Sequence, residues 1–357
     1  MRFNTVLCVV GVLLLNLAGS FCQLDVCGRA PFNTKILGGS NATAGSWPWH
    51  VDITSAELRI SVCSGSLINK DWVLSSATCI NLILDQIVIY LGRRSQFEPD
   101  PHEITRTVLN VINHPDYNLS TRDNDIALVQ LSSSVNFTDY IRPVCLAADG
   151  SVFDEGLSSW VTGWGFTRWR VTTWGDIEIK DSDLPNILQE VEMPIVSNQN
   201  CSVAYNGKGV TITDNMLCAG QLNDAFKGPC VLDDGGPLVS KQGLQWIQTG
   251  ITIMDDACLE KNITGVFTRV SQYQDWINTH ISNEKPGFIR VNFTTPTPNT
   301  TPDPNPIPDP NPIPDPNPDP IPTLYFPDIF SGSSPSLQLF PLSLTFSIFS
   351  LIFCLFI

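Results

Sequence analysis

An all-β fold is the class this sequence predicts, and three observations carry it. From Ile36 onward the apolar residues come in short runs, such as Gln86-Ile87-Val88-Ile89-Tyr90-Leu91-Gly92, too short for helices of ordinary length. Gly, Asn, Asp and Pro break those runs at close intervals, the texture of a barrel or sandwich rather than of strands alternating with helices. Helical spacing is evident near one place: Val270 to Ile281 sets Tyr273, Trp276, Ile277 and His280 three and four residues apart.

The elements outside this β-rich stretch are read in chain order. Arg2, the apolar run Val6 to Leu17 and the small residues Ala18-Gly19-Ser20 read as a secretory signal, assigned to residues 1–22. A leader of residues 23–35 carries Cys27, and the folded domain is assigned to residues 36–283. Residues 284–330 are read as a stalk, because from Pro302 to Pro322 every second residue is proline. Proline fixes φ and lacks an N–H, so that segment favours an extended polyproline-like chain, ~3.1 Å per residue and roughly 65 Å at full extension.

Residues 331–357 begin with Ser331, Gly332, Ser333 and Ser334 and continue into an uncharged apolar run from Leu337 to Ile357. No Lys or Arg follows Arg290, so a transmembrane helix would lack a basic cytoplasmic flank. A small-residue site, a polar spacer and an apolar tail fit a GPI-attachment signal better, with Ser331, Gly332 and Ser333 as the attachment site.

Composition excludes some partners. The net charge is −15 with Lys and Arg totalling 20, so phosphate-binding surfaces are poorly supported and no nucleic-acid partner is expected. No cofactor or metal is expected. N-x-S/T sequons at Asn41, Asn118, Asn136, Asn262, Asn292 and Asn299 suit a glycosylated, exported chain. Export also makes disulfides legitimate. Of the 11 cysteines, Cys8 and Cys22 fall in the signal and Cys354 in the apolar tail, and the rest allow roughly a hundred pairings.

Several blocks occur together along the chain: Lys35-Ile36-Leu37-Gly38-Gly39, Trp47-Pro48-Trp49, Cys63-Ser64-Gly65-Ser66-Leu67-Ile68, Asp125-Ile126-Ala127-Leu128, Trp160-Val161-Thr162-Gly163-Trp164-Gly165 and Gly235-Gly236-Pro237. With them, Cys27 to Ile281 resembles the trypsin-like serine proteases of chymotrypsin fold (S1), particularly the membrane-anchored group that includes prostasin and testisin. The resemblance implies two six-stranded antiparallel β-barrels with a cleft between them and a C-terminal helix. It also implies bridges joining Cys27 with Cys145, Cys63 with Cys79, Cys201 with Cys218 and Cys230 with Cys258. A further family bridge is replaced at both ends, by Ser159 and Ser240.

The chemical positions depart from the family pattern. Trp72-Val73-Leu74-Ser75-Ser76-Ala77-Thr78-Cys79 carries Thr78 where the family has histidine, while Asp125 keeps the aspartate position. Cys230-Val231-Leu232-Asp233-Asp234-Gly235-Gly236-Pro237 carries Asp234 in place of the serine nucleophile and Leu232 in place of the oxyanion-hole glycine. Such chemistry needs a base near pKa 6.5 to take the serine proton and backbone donors for the oxyanion. Threonine has no such base, and a carboxylate repels the developing charge. The other histidines, His50, His102, His114 and His280, are expected in structural or solvated roles.

Two further positions bear on recognition. Gly228 stands where trypsin-like members hold an acid for Lys or Arg side chains, and Asp255 projects where the family leaves a glycine. One inherited device is retained: cleavage between Lys35 and Ile36 would free an amine for Asp233, the carboxylate that receives it in the family. The chain is therefore expected to be a catalytically dead protease homologue on the extracellular face of the plasma membrane. It would be lipid-anchored and act by binding an extracellular protein, with a protease or inhibitor as candidate partner. The alternatives are an endopeptidase with unorthodox chemistry and a structural surface glycoprotein; a single-pass or secreted form is the alternative placement.

Overall fold

The computed structural model describes residues 26–33, 40–56, 61–83, 86–165, 170–171, 177–178, 184–220, 232–254 and 263–293. The described residues all fall in the first of two units, Met1–Pro298, and Asn299–Ile357 lies outside them. The signal, the proline run and the GPI site Ser331, Gly332 and Ser333 lie outside them as well.

The first barrel is built from β1 (His50–Ser55), β2 (Ser61–Leu67), β3 (Trp72–Ser75), β4 (Ile87–Leu91), β5 (Ile104–Asn113) and β6 (Ala127–Leu131). Its strands close in the order β1-β2-β3-β6-β5-β4, every neighbour antiparallel. The second comprises β7 (Ser158–Gly163), β8 (Gln189–Val196), β9 (Met216–Ala219), β10 (Pro237–Gln242), β11 (Gln245–Met254) and β12 (Gly265–Arg269). Here the order is β10-β7-β8-β9-β12-β11, and the β10–β11 pairing closes the ring. The barrel alternative is thus realised twice, which removes the open edges that a sandwich would leave.

Why the strands read as continuous apolar runs is explained by their two buried faces. On β6, Ala127, Val129 and Leu131 point into the first barrel while Leu128 joins the seam between the barrels. On β3 the alternation places Val73 inside and Trp72 and Leu74 at the seam. On β7 and β10, Val161 and Leu238 fill the second barrel, and Trp160 and Val239 face the seam. Successive strand side chains point to opposite sides, so one strand serves two cores.

Trp47, Trp49, Trp160 and Trp246 fill much of that seam, with Trp47 and Trp246 edge-on at 5.0 Å between ring centroids. The helix near the end is present as a 3₁₀ turn, Val270–Tyr273, running into an α-helix, Gln274–His280, that buries Ile277 against the seam. Its predicted spacing therefore reports a packed face.

Three of the four expected bridges fall on described residues and are formed: Cys27–Cys145, Cys63–Cys79 and Cys201–Cys218. Cys230 and Cys258 lie outside the described residues. Where the family bridge is missing, Ser159 and Ser240 are cross-strand partners, fully buried, with their hydroxyls 2.8 Å apart. A hydrogen bond thus fills the space of a covalent link, and each hydroxyl keeps a partner.

The boundaries differ from expectation at the end of the domain. Residues 284–293, read above as the first part of the stalk, belong to the packed body: Phe288–Ile289 pairs in parallel with Cys145–Ala147, and Val291 is fully buried. Their apolar side chains complete a cluster around the Cys27–Cys145 bridge, which the proline-rich composition further along does not reveal. The leader is packed too, with the Asn33 amide donating to the Ser46 carbonyl and Phe32 lying 5.1 Å from the Tyr140 ring.

Candidate functional site

Thr78 lies in a short helix, Ala77–Leu82, that follows β3 directly. Ser76 caps it, its Oγ accepting from the Cys79 N–H at 3.1 Å, which satisfies one of the donors exposed at a helix start. Asp125 satisfies another. Its Oδ1 accepts from the Thr78 N–H at 2.8 Å, and its Oδ2 accepts from the Thr78 hydroxyl at 2.5 Å. The family's histidine and aspartate positions are therefore brought into direct contact.

Two side chains not singled out from the sequence complete this cluster. The Tyr117 hydroxyl lies 2.7 Å from Thr78 Oγ1, and Arg122 Nη1 donates to the same oxygen. A hydroxyl offers one donor and two acceptor sites. With its proton toward Asp125 and its lone pairs toward Tyr117 and Arg122, the Thr78 hydroxyl is saturated. Arg122 Nη1 also stands 3.6 Å from Asp125 Oδ2. Nothing in composition or motif marks these residues, since Tyr117 and Arg122 sit in an irregular loop with no periodic pattern.

Asp125 is fully buried, and that burial pushes its carboxyl above the usual carboxylate range. The two hydrogen bonds from Thr78 and the Arg122 charge pull in the other direction. Burial also raises the Tyr117 phenol. From the second barrel, the Thr268 hydroxyl on β12 donates to the Asp125 carbonyl at 2.7 Å, so the cluster is fastened across the barrel boundary.

The Asp234 loop is set by both barrels as well. The Ser64 N–H of β2 donates to the Asp234 carbonyl, and the Gly235 N–H donates to the Thr252 carbonyl of β11, both at 2.8 Å. Thr252 and Thr268 lie on neighbouring strands, so the Asp125 and Asp234 positions are held by one patch of the second barrel. Asp233 and Asp234 are both buried, and Asp233 Oδ1 accepts from the Gly165 N–H at 2.8 Å.

Leu232 keeps a positive φ of 84°, a backbone conformation suited to the family's glycine. A leucine held there carries strain of roughly 1–2 kcal/mol. The positive φ thus persists with a side chain in place.

Each histidine is engaged structurally. His50 is buried, its Nδ1 lies 2.8 Å from Thr162 Oγ1, and burial lowers its pKa to about 3. His102 stacks on Tyr140 at 3.4 Å. His114 packs against Tyr273 and Trp276, and burial lowers its pKa. His280 Nδ1 lies 2.9 Å from the Trp276 carbonyl.

The remaining expected positions divide between described and undescribed segments. Asn41, Asn118, Asn136 and Asn292 are all exposed, as glycan acceptors require. Lys35, Ile36, Gly228, Asp255, Asn262 and Asn299 lie outside the described residues. Among the described residues, no group of His, Cys, Asp or Glu side chains is arranged to hold a metal ion, and no helix is long and apolar enough to cross a membrane.

A comparison with protein families agrees with this architecture. The family model described as Trypsin matches residues 36–277, more than half of the chain. Two closed six-stranded barrels, cross-barrel fastening of the triad positions and that match lead to one assignment: this chain belongs to the trypsin family and carries a trypsin-like serine protease domain.

Proposed function

We propose that the domain is a non-catalytic member of its family that works by binding an extracellular protein. The observation that supports this most is the Thr78 hydroxyl, saturated by Asp125, Tyr117 and Arg122 where the family's chemistry requires a basic imidazole. Asp234 adds to it. A carboxylate at the nucleophile position opposes an oxyanion, and it supplies no hydroxyl for acyl transfer. Engagement of a protease or inhibitor would use the cleft or the loops around it.

This reading makes a direct expectation. Full-length protein cleaved after Lys35 should take up no fluorophosphonate probe and should hydrolyse peptide libraries only at the background rate. Turnover that co-purifies with the protein and disappears on Thr78→Ala or Asp234→Ala would replace it with the endopeptidase reading.

The membrane-anchored placement is part of the same proposal. It rests on the small residues Ser331, Gly332 and Ser333 preceding an uncharged apolar run, in the manner of a GPI-attachment signal. Phosphatidylinositol-specific phospholipase C is expected to release most of the protein from intact cells. Replacing Ser331, Gly332 and Ser333 with bulky residues should abolish that releasable pool, and a phospholipase-resistant protein retaining a tag after Ile357 would instead span the bilayer.

A further inference from the structure

The loop before Asp125 is held so that one side chain must turn inward. Arg122 and Asn124 both adopt positive φ, 58° and 55°. Arg122 N–H donates to the Asn118 carbonyl at 2.8 Å, and the Asn118 side-chain oxygen accepts from the Ser120 and Thr121 N–H groups. On the other side of Arg122, Asp123 accepts from the Thr213 hydroxyl at 2.8 Å and from the Asn215 amide at 3.2 Å. Asn124 Oδ1 accepts from the Tyr273 hydroxyl at 3.0 Å. Asp123 and Asn124 are thus fastened to other parts of the fold, and the guanidinium between those anchors reaches Thr78 and Asp125.

We propose that Arg122 is the resident counter-ion of Asp125, seated over the Thr78 hydroxyl so that it closes the cleft at its chemical centre. This rests on the non-catalytic reading and deepens it: protein contact is directed to the rim, and the triad positions form a closed structural cluster. The charge logic favours it. A buried carboxylate needs a partner, Thr78 supplies only neutral hydrogen bonds, and a guanidinium remains protonated at every physiological pH. Asp125 is fully buried and Arg122 is 30% exposed, so the pair is shielded on the carboxylate side only.

The pairing has a pH signature. Burial raises the Asp125 pKa above its unfolded value, so stability falls as pH rises from about 4 through the folded pKa. Arg122 opposes that rise, so removing its charge moves the folded pKa further upward. The charge-dependent part of an uncharged variant's deficit is therefore small near pH 4 and grows toward neutrality. Ionisable groups near Asp125 among the described residues include the Tyr117 and Tyr273 phenols, both raised by burial, the neighbouring acid Asp123, and His114, which packs on Tyr273 and whose pKa burial lowers. Neither phenol ionises in this window, and the Asp125→Asn background below separates the Arg122–Asp125 pairing from any contribution of the other neighbours.

The test uses the full-length glycoprotein extracted in mild detergent, with thermal unfolding followed from pH 4 to pH 8. Arg122→Gln is expected to lower Tm by on the order of 5 °C at pH 7.5 and by much less at pH 4. Arg122→Lys should keep most of the wild-type pH profile. Placing Arg122→Gln in an Asp125→Asn background should remove its pH-dependent deficit, and this double variant decides the matter if Arg122→Gln alone fails to fold. A deficit that is uniform with pH and unchanged by Asp125→Asn, or no deficit at all, overturns the proposal. Failure of the non-catalytic reading shows itself separately, as peptidase activity of the unmodified protein.

Discussion

Restoring Thr78→His, Asp234→Ser and Leu232→Gly together is expected to leave hydrolysis at background while Arg122 is retained, and to raise it by about 10³-fold once Arg122→Ala is added. Each change supplies one missing part. The imidazole provides the base, the serine the nucleophile, and the glycine relieves the strained positive φ beside the oxyanion hole. The imidazole must also find room. Arg122 and Tyr117 both contact the oxygen of Thr78, so a ring built from that position meets the guanidinium and competes with it for Asp125. Triad members act as a unit, so any partial set should give little, and the assay is chromogenic ester hydrolysis by the purified, Lys35-cleaved variants. Equal activity with and without Arg122 would show that the arginine yields freely. Gly228 should keep the revived enzyme from preferring Lys or Arg, because the acid that reads those side chains in trypsin-like members is missing.

Gly235→Ala should eliminate the folded protein. Gly235 has φ 80°, and a Cβ there would stand 2.2 Å from Ser75 Oγ and 2.3 Å from the Ser64 carbonyl oxygen. Those two atoms are themselves hydrogen-bonded at 2.8 Å, so the methyl group would wedge apart β2 and β3 while the backbone bears a left-handed conformation. Left-handed strain of about 1–2 kcal/mol and overpacking of about 1–3 kcal/mol together approach the net stability of many domains. Gly156→Ala is the control. It shares the backbone conformation, with φ 85°, and a Cβ there has nothing within 4 Å. Strain alone should then cost about 1 kcal/mol and leave the yield of folded protein near wild type. If the two variants behaved alike, the packing around Gly235 would have no special weight.

Much of the architecture is legible because it repeats short-range rules. Val73 and Leu74, or Trp160 and Val161, alternate between two cores, and that alternation makes the apolar runs visible as strands. The spacing of Tyr273, Trp276 and Ile277 marks the final helix because one face is packed. By contrast, the continuation of the fold through residues 284–293 was hidden, since Phe288, Ile289 and Val291 form no long pattern and gain their meaning from Cys145–Ala147, far away in sequence.

The same division runs through the candidate site. By itself the sequence determined which chemical groups stand at the family's positions: Thr78 for the imidazole, Asp125 retained, Asp234 for the nucleophile, and Ser159 with Ser240 for a bridge. Those are matters of covalent identity and need no coordinates. Only the tertiary structure decided what the altered groups do with one another. It set the Thr78 hydroxyl against Asp125, turned Arg122 inward between anchors on Thr213, Asn215 and Tyr273, and joined the two buried serines by a hydrogen bond. The physical reason is that such contacts link residues dozens of positions apart, through irregular loops whose backbone angles are fixed by their surroundings. A buried carboxylate states in the sequence that it needs a partner, and the fold chooses which one.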